Sequence, residues 1–251
     1  MPELYLIGGG WDEVSFKQTF GRFVLAGTKN GLCKILLVLA IEDLAARKEI
    51  TEDFTNMFNE LGNVKTEPFF LSKANNMTFD ILNTIRPSCI FVGGGLTPRY
   101  QELLGKNRDF VDYIIQNNIP YGGFSAGSAI ASKESIVGGW KIKESGRDIP
   151  ILDSDFSEKL EYIEIRDGLG FVNYPIDVHG SQWGTITRVI HAVDQNMINE
   201  GLVIDESTMI ESKKETMTVF GIGQVYLIQN KGSNVEISIY KDGDIIEPET
   251  F

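Results

Sequence analysis

Short apolar runs alternate with longer amphipathic stretches through the first half of the chain. Residues 4–7, 35–41, 67–71, 89–92 and 121–124 are short β-type runs. The longest of them falls far below the roughly 20 apolar residues of a membrane helix, so no membrane partner is expected. Between them, residues 42–61, 78–85 and 98–118 place apolar side chains at three- and four-residue intervals, as a helix with one buried face requires. This alternation predicts an α/β fold in three layers, a mostly parallel sheet flanked by helices.

Three of the strand candidates run into glycine: Gly8-Gly9-Gly10, Gly93-Gly94-Gly95 and the pair Gly122-Gly123. In open α/β sheets ligands bind beyond the carboxyl ends of the strands, and glycine there lets the backbone approach something closely. The pattern changes after residue 133. Residues 133–166 are charged and glycine-punctuated, and read as strands and loops overhanging a site. A helix is predicted over 185–197 and a strand over 201–211. Further β runs follow at 225–228 and 235–240, with a turn at Lys241-Asp242-Gly243 leading the latter into Ile245-Ile246. Residues 1–251 read as one domain, with 216–251 as a C-terminal β extension of it.

At 251 residues and 42% hydrophobic content the chain can bury a large core. A net charge of −12, with no Lys/Arg cluster, sets a field that repels polyphosphates, so nucleic acid is not an expected partner. Met1-Pro2-Glu3 leads straight into the first strand without the basic and apolar segments of a secretion signal, and a cytoplasmic protein is expected. Cys33 and Cys89 lie at or inside apolar runs and read as buried, reduced thiols. Two histidines and no Cys/His cluster leave no set of ligands for zinc, and neither metal nor cofactor is expected.

The strongest local signal is Gly123-Phe124-Ser125-Ala126-Gly127, after a strand and before the small residues Ser128-Ala129 that can open a helix. A nucleophile on a sharp strand-to-helix turn needs small residues two positions to either side. The bare G-x-S-x-G pattern is common; its strand and helix context makes Ser125 a candidate nucleophile. The Ala126 N–H then points at a bound carbonyl, and the backbone of Gly94 or Gly95 is the candidate second donor of an oxyanion hole. A serine needs a base, and only His179 and His191 exist. His191 sits in an amphipathic helical stretch and reads as a surface or packing residue. His179 ends the short run Ile176-Asp177-Val178, where strand alternation would turn Asp177 and His179 into one cleft.

Taken in order, Gly93-Gly94-Gly95, the serine turn, Gly168-Leu169-Gly170-Phe171, Asp177-Val178-His179-Gly180-Ser181-Gln182 and Val203-Ile204-Asp205-Glu206-Ser207-Thr208 resemble the serine peptidases that include cyanophycinase and dipeptidase E, with the cyanophycinase branch nearer. The resemblance spans about residues 4–211 and implies a class I glutamine amidotransferase-like fold. It implies Ser125 as nucleophile, His179 as base and Glu206 as the carboxylate that orients the base. The dipeptidase branch draws its third member from an aspartate soon after the serine, and the corresponding stretch here, Ser135 to Trp140, holds no acid. By the same likeness Asp177, Gln182, Arg188 and Thr97 belong to the substrate site. Where the cyanophycinase pattern has two arginines after Ser-Gln, this chain has Trp183 and Thr185.

The expected activity is therefore amide hydrolysis through an acyl-enzyme on a small peptide or isopeptide. An acidic substrate would find its carboxylate partner in Arg188 or Arg99. Loss of the two arginines argues against cyanophycin itself. It is also the feature that favours the rival reading, a non-catalytic binding or regulatory protein that keeps the fold. The family likeness is consistent with a homodimer.

Overall fold

The apolar runs of the first half lie side by side in the computed structural model, which describes residues 2–10, 12–214 and 216–246. They are β1 (Leu4–Ile7), β3 (Leu32–Leu39), β4 (Val64–Phe70), β5 (Cys89–Val92) and β6 (Tyr121–Phe124), with a two-residue β2 (Thr28–Lys29) folded back on β3. β4, β3, β5, β6 and β1 pair in that order and all in parallel. Alternation along each strand divides the core between two faces. Tyr5, Ile7, Leu37 and Phe91 meet Phe20 and Phe23 of α1 (Phe16–Gly27) and Phe54 and Phe58 of α2 (Leu44–Leu61). Leu4, Leu6, Val38 and Val92 meet α3 (Phe79–Ile85), α4 (Thr97–Leu104) and α5 (Arg108–Gln116) on the other side. Each fully buried phenylalanine contributes on the order of 2–3 kcal/mol, so these two faces hold the three layers together.

The predicted helix over 98–118 is two helices. Gly105 ends the first, where a β-carbon would lie 2.8 Å from the Asp167 carbonyl, and the Asn107 side chain caps the second by accepting from Phe110 N at 3.1 Å. Helix α1 was not among the predicted elements, although Phe16, Phe20, Phe23 and Val24 carry the helical spacing and are buried. The predicted strand over 201–211 is also two elements, β12 (Glu200–Ile204) and β13 (Thr208–Lys213), and they belong to different sheets.

After β6 comes the four-residue α6 (Ala126–Ala129). The charged stretch 133–166 forms β7 (Glu134–Gly138), the hairpin β8 (Lys141–Glu144) and β9 (Arg147–Pro150), a 3-10 turn at Ser154–Phe156, and β10 (Glu164–Asp167), which pairs with β7. Then follow β11 (Ile176–Val178), α7 (Gly180–Trp183) and α8 (Ile186–Asp194). Beyond β13, β14 (Thr216–Gly221) continues the main sheet antiparallel to β13, while β15 (Val225–Asn230) and β16 (Val235–Tyr240) join β11 and β12 in a second, four-stranded sheet. The residue pair Ile245-Ile246 forms β17, which pairs with Met217 and Thr218 of β14 rather than with the preceding β16. The turn at Lys241 to Gly243 thus carries the chain from one sheet to the other. Of the expected extension, residues 247–251 lie outside the described residues.

Cys33 and Cys89 are both free and fully buried on adjacent strands, with their sulfurs 3.4 Å apart. Among the described residues no helix is long and apolar enough to cross a membrane.

Candidate active site

Ser125 lies between β6 and α6 with φ 53° and ψ −113°, a conformation that costs a non-glycine residue on the order of 1–3 kcal/mol. The flanking glycines make the turn possible. A β-carbon on Gly123 would sit 2.6 Å from the Gly127 carbonyl oxygen, and one on Gly127 would collide with the Val92 carbonyl. Ser125 N donates to Ile7 O of β1 at 2.9 Å, and Ser128 Oγ donates to both Ile7 O and Gly123 O, tying the turn to two central strands. Ala126 is the first residue of α6, so helix geometry gives its N–H no acceptor within the helix. Gly94 packs directly on the turn, with the position of a β-carbon 3.2 Å from Ser125 Cβ, and Tyr100 donates its hydroxyl to Gly94 O at 2.9 Å.

His179 follows β11 with φ 58° and meets the serine: Ser125 Oγ and His179 Nε2 are 2.8 Å apart. The other ring nitrogen, Nδ1, is 2.7 Å from Glu206 Oε1. Glu206 stands in the turn between β12 and β13, where the chain crosses from the second sheet to the first. The glycine run after β1 is what the imidazole and carboxylate lie against. A β-carbon on Gly9 would overlap the His179 ring, and one on Gly10 would lie 2.7 Å from Glu206 Oε2. The same run holds both partners by backbone bonds, from His179 N to Gly8 O at 3.1 Å and from Ser207 N to Gly9 O at 2.7 Å. Asp205 braces the crossing by accepting from Ser181 N and Gln224 N.

Burial holds the His179 imidazole below its ordinary pKa of 6.5, opposed by its hydrogen bond to Glu206. The ring is therefore neutral at pH 7. With Nδ1–H donating to the carboxylate, Nε2 is left to accept the serine proton. One imidazole face is covered by Trp183, whose ring is stacked on it at 3.6 Å and 7°, and Phe156 stacks on Trp183 in turn at 5.0 Å and 15°. His191, on α8, takes no part in this cluster.

The four residues expected to contact substrate each have an internal partner. Strand alternation does not bring Asp177 into one cleft with His179, because β11 stops at Val178 and His179 turns off it. Asp177 instead takes Arg188 Nη1 at 2.9 and 3.1 Å, with both side chains almost wholly buried. Arg188 also donates Nε to Gly139 O and Nη2 to Phe156 O, which leaves it no free fork for a substrate carboxylate. Gln182 Oε1 accepts from Glu206 N at 2.9 Å and so helps position that carboxylate. Thr97 is buried, and its N–H donates to Glu158 Oε2 at 2.8 Å. Arg99 pairs with Glu42 at 2.7 Å. Thr185 donates to Val178 O at 2.6 Å and fixes the end of β11.

Ser125 and His179 open on a cavity of about 730 Å³ that is also lined by Gly94, Gly95, Leu96, Phe54, Phe156, Trp183 and Glu158. Glu158 was not singled out in the sequence, where it is one acid among 35 in a loop without a motif. Burial pushes its carboxyl up to about 7, opposed by the hydrogen bond from Thr97 N.

The model of Peptidase family S51 matches residues 6–220. No curated protein sequence matches the chain. Among solved structures, a peptidase from an acI-B1 Actinobacterium superposes with a TM-score of 0.69 at 15% identity, over 98% of this chain and 97% of the other. A peptidase E-type protein from Listeria monocytogenes EGD-e superposes with a TM-score of 0.54 at 18% identity, over 89% of this chain and 100% of the other. At these identities the two structures share the fold, a mostly parallel sheet between helices.

Proposed function

The chain belongs to peptidase family S51, a family of serine peptidases, and on that premise we propose that it hydrolyses small peptide or isopeptide amides with Ser125, His179 and Glu206 as its catalytic triad. One observation carries the reading: hydroxyl, imidazole and carboxylate stand in line, with Oγ–Nε2 at 2.8 Å and Nδ1–Oε1 at 2.7 Å. The three side chains come from three separate crossovers, and no local sequence constraint forces them together.

In this reading Ser125 Oγ attacks the amide carbon while its proton passes to His179 Nε2. The imidazolium that forms is stabilised by Glu206 through the Nδ1–H bond. The carbonyl oxygen gains charge as the tetrahedral centre forms, and the N–H groups of Ala126 and of Gly94 or Gly95 are the proposed donors to it. Nε2–H then protonates the leaving amine, the C–N bond breaks and an acyl-serine remains. Water, deprotonated by the same nitrogen, hydrolyses the ester and restores Ser125. The use of Glu206, rather than an acid shortly after the serine, supports the layout of the cyanophycinase branch.

A fluorophosphonate probe tests the reading directly. Stoichiometric labelling of the wild type, mapped by mass spectrometry to Ser125 and lost in Ser125→Ala, is the expected result. A chain that stays unlabelled and cleaves no peptide is a binding protein built on a peptidase fold.

A further inference from the structure

We propose that Glu158 is the anchor for a free ammonium group of the substrate, beside an apolar wall that receives a large apolar or aromatic side chain. The preferred substrate is then a small peptide with an unblocked amino-terminal residue of that kind. The inference deepens the peptidase reading above and rests on it.

The charges of the cavity point away from an acidic ligand. Its lining holds Asp53, Asp155 and Glu158 against one cation, Lys159. The arginine that could have received a carboxylate, Arg188, is spent on Asp177 and two backbone carbonyls. Beside the serines Ser154 and Ser157, the cavity carries an apolar wall of Ile50, Phe54, Leu96, Phe124, Phe156 and Trp183. A large apolar side chain buries most area there, and its α-ammonium needs an anion close by.

Glu158 is built for that role. One of its oxygens, Oε2, is held by Thr97 N at 2.8 Å, which fixes the carboxylate while Oε1 remains a second acceptor site. The two residues before it are pinned, by Arg188 Nη2 on Phe156 O at 2.6 Å and by Gly139 N on Ser157 O at 3.0 Å. A β-carbon on Gly138 would lie 2.6 Å from Glu158 Cβ, so the fit around it is close. A bound ammonium would also offset the cost of a buried carboxylate that otherwise holds its proton up to about pH 7. The charged form is required for binding, so the KM for a free-amine substrate rises as pH falls through that value.

The test compares fluorogenic amides of phenylalanine and of aspartate, each with a free and an acetylated amino group, on the wild type and on Glu158→Gln. Glutamine keeps an acceptor for Thr97 N and removes only the charge. The wild type is expected to favour free-amine phenylalanine over its acetylated form by roughly tenfold or more in kcat/KM, and over free-amine aspartate as well. In Glu158→Gln the free-to-acetylated ratio collapses toward one through KM, with the acetylated substrate little affected, a pattern that a general loss of structure would not produce. Equal cleavage of the acetylated amide, preference for aspartate, cleavage of neither, or an unchanged ratio in the variant overturns the anchor. Labelling of Ser125 by fluorophosphonate in those cases leaves the peptidase reading standing. Absence of both labelling and cleavage overturns the peptidase reading and the anchor with it.

Discussion

Two pairs of a carboxylate and a nitrogen base stand two residues apart at the end of one short strand, and they are opposite in kind. Asp177–Arg188 is closed: its side chains are 4% and 3% exposed, and the guanidinium donates to a carboxylate and two carbonyls. Glu206–His179 is open: the carboxylate is 31% exposed, and the ring nitrogen not turned to it faces a serine hydroxyl. Arginine keeps its proton at any relevant pH, whereas an imidazole gives it up near neutrality. The first pair therefore clamps β11 to α8 and to the 3-10 turn at Ser154–Phe156. In the proposed mechanism the second moves a proton, and the clamp beside it keeps the strand end from which it projects in place.

The sharpest separation of the two pairs comes from Ser125→Ala, which leaves both intact and removes the atom the open pair serves. Turnover is expected to fall about 10⁴- to 10⁶-fold with the unfolding midpoint nearly unchanged. A retained kcat would dissolve the distinction between the pairs. Glu206→Gln follows, with a loss of about 10⁴-fold in kcat. A carboxamide NH₂ facing Nδ1 favours the tautomer whose Nε2 carries the proton and cannot accept one from serine. Steady-state kinetics on the purified variant measure it. Asp177→Asn acts on the closed pair and leaves a buried guanidinium without its anion, at about 3–5 kcal/mol of stability. Urea unfolding is the readout, and an unshifted midpoint would show that the pair is not a clamp.

The smallest effect concerns the cover over the open pair. As the proposed base His179 must be neutral, so on an acetylated substrate, whose binding makes no use of Glu158, kcat/KM falls as pH drops through the imidazole pKa, which burial holds below 6.5. Trp183→Ala admits water to the imidazole face, stabilises the imidazolium and raises that pKa. The acid limb of the kcat/KM profile should move upward toward 6.5, and a limb that stays in place would assign the desolvation to other neighbours.

Much of the fold is legible in the sequence. The parallel strands were readable because buried strands are short apolar runs, and β1, β5 and β6 begin and end where the runs do. The serine turn was readable because only glycine fits at 123 and 127. The glycine run after β1 announced a close approach, though not that His179 and Glu206 were what approached. Helix α1 carried its spacing and was still missed, since Gly21 and Gly27 dilute a helical pattern. Reading 201–211 as one strand hid the crossing that carries Glu206, because both halves are apolar enough to pass for a continuous strand.

Local periodicity and steric need are written in neighbouring residues, and so the sequence by itself determined the layered fold, the strained turn at Ser125 and the short choice between two histidines. Glu206 was named only through a likeness of distant motifs to a family, and its contact with the imidazole was made by the tertiary structure. That Asp177 would turn to Arg188, and that Glu158 would stand in the cavity, was decided there too. Those contacts join segments 11 to 61 residues apart across two sheets and a helix terminus, and no pattern along the chain records distances that exist only after it has closed on itself.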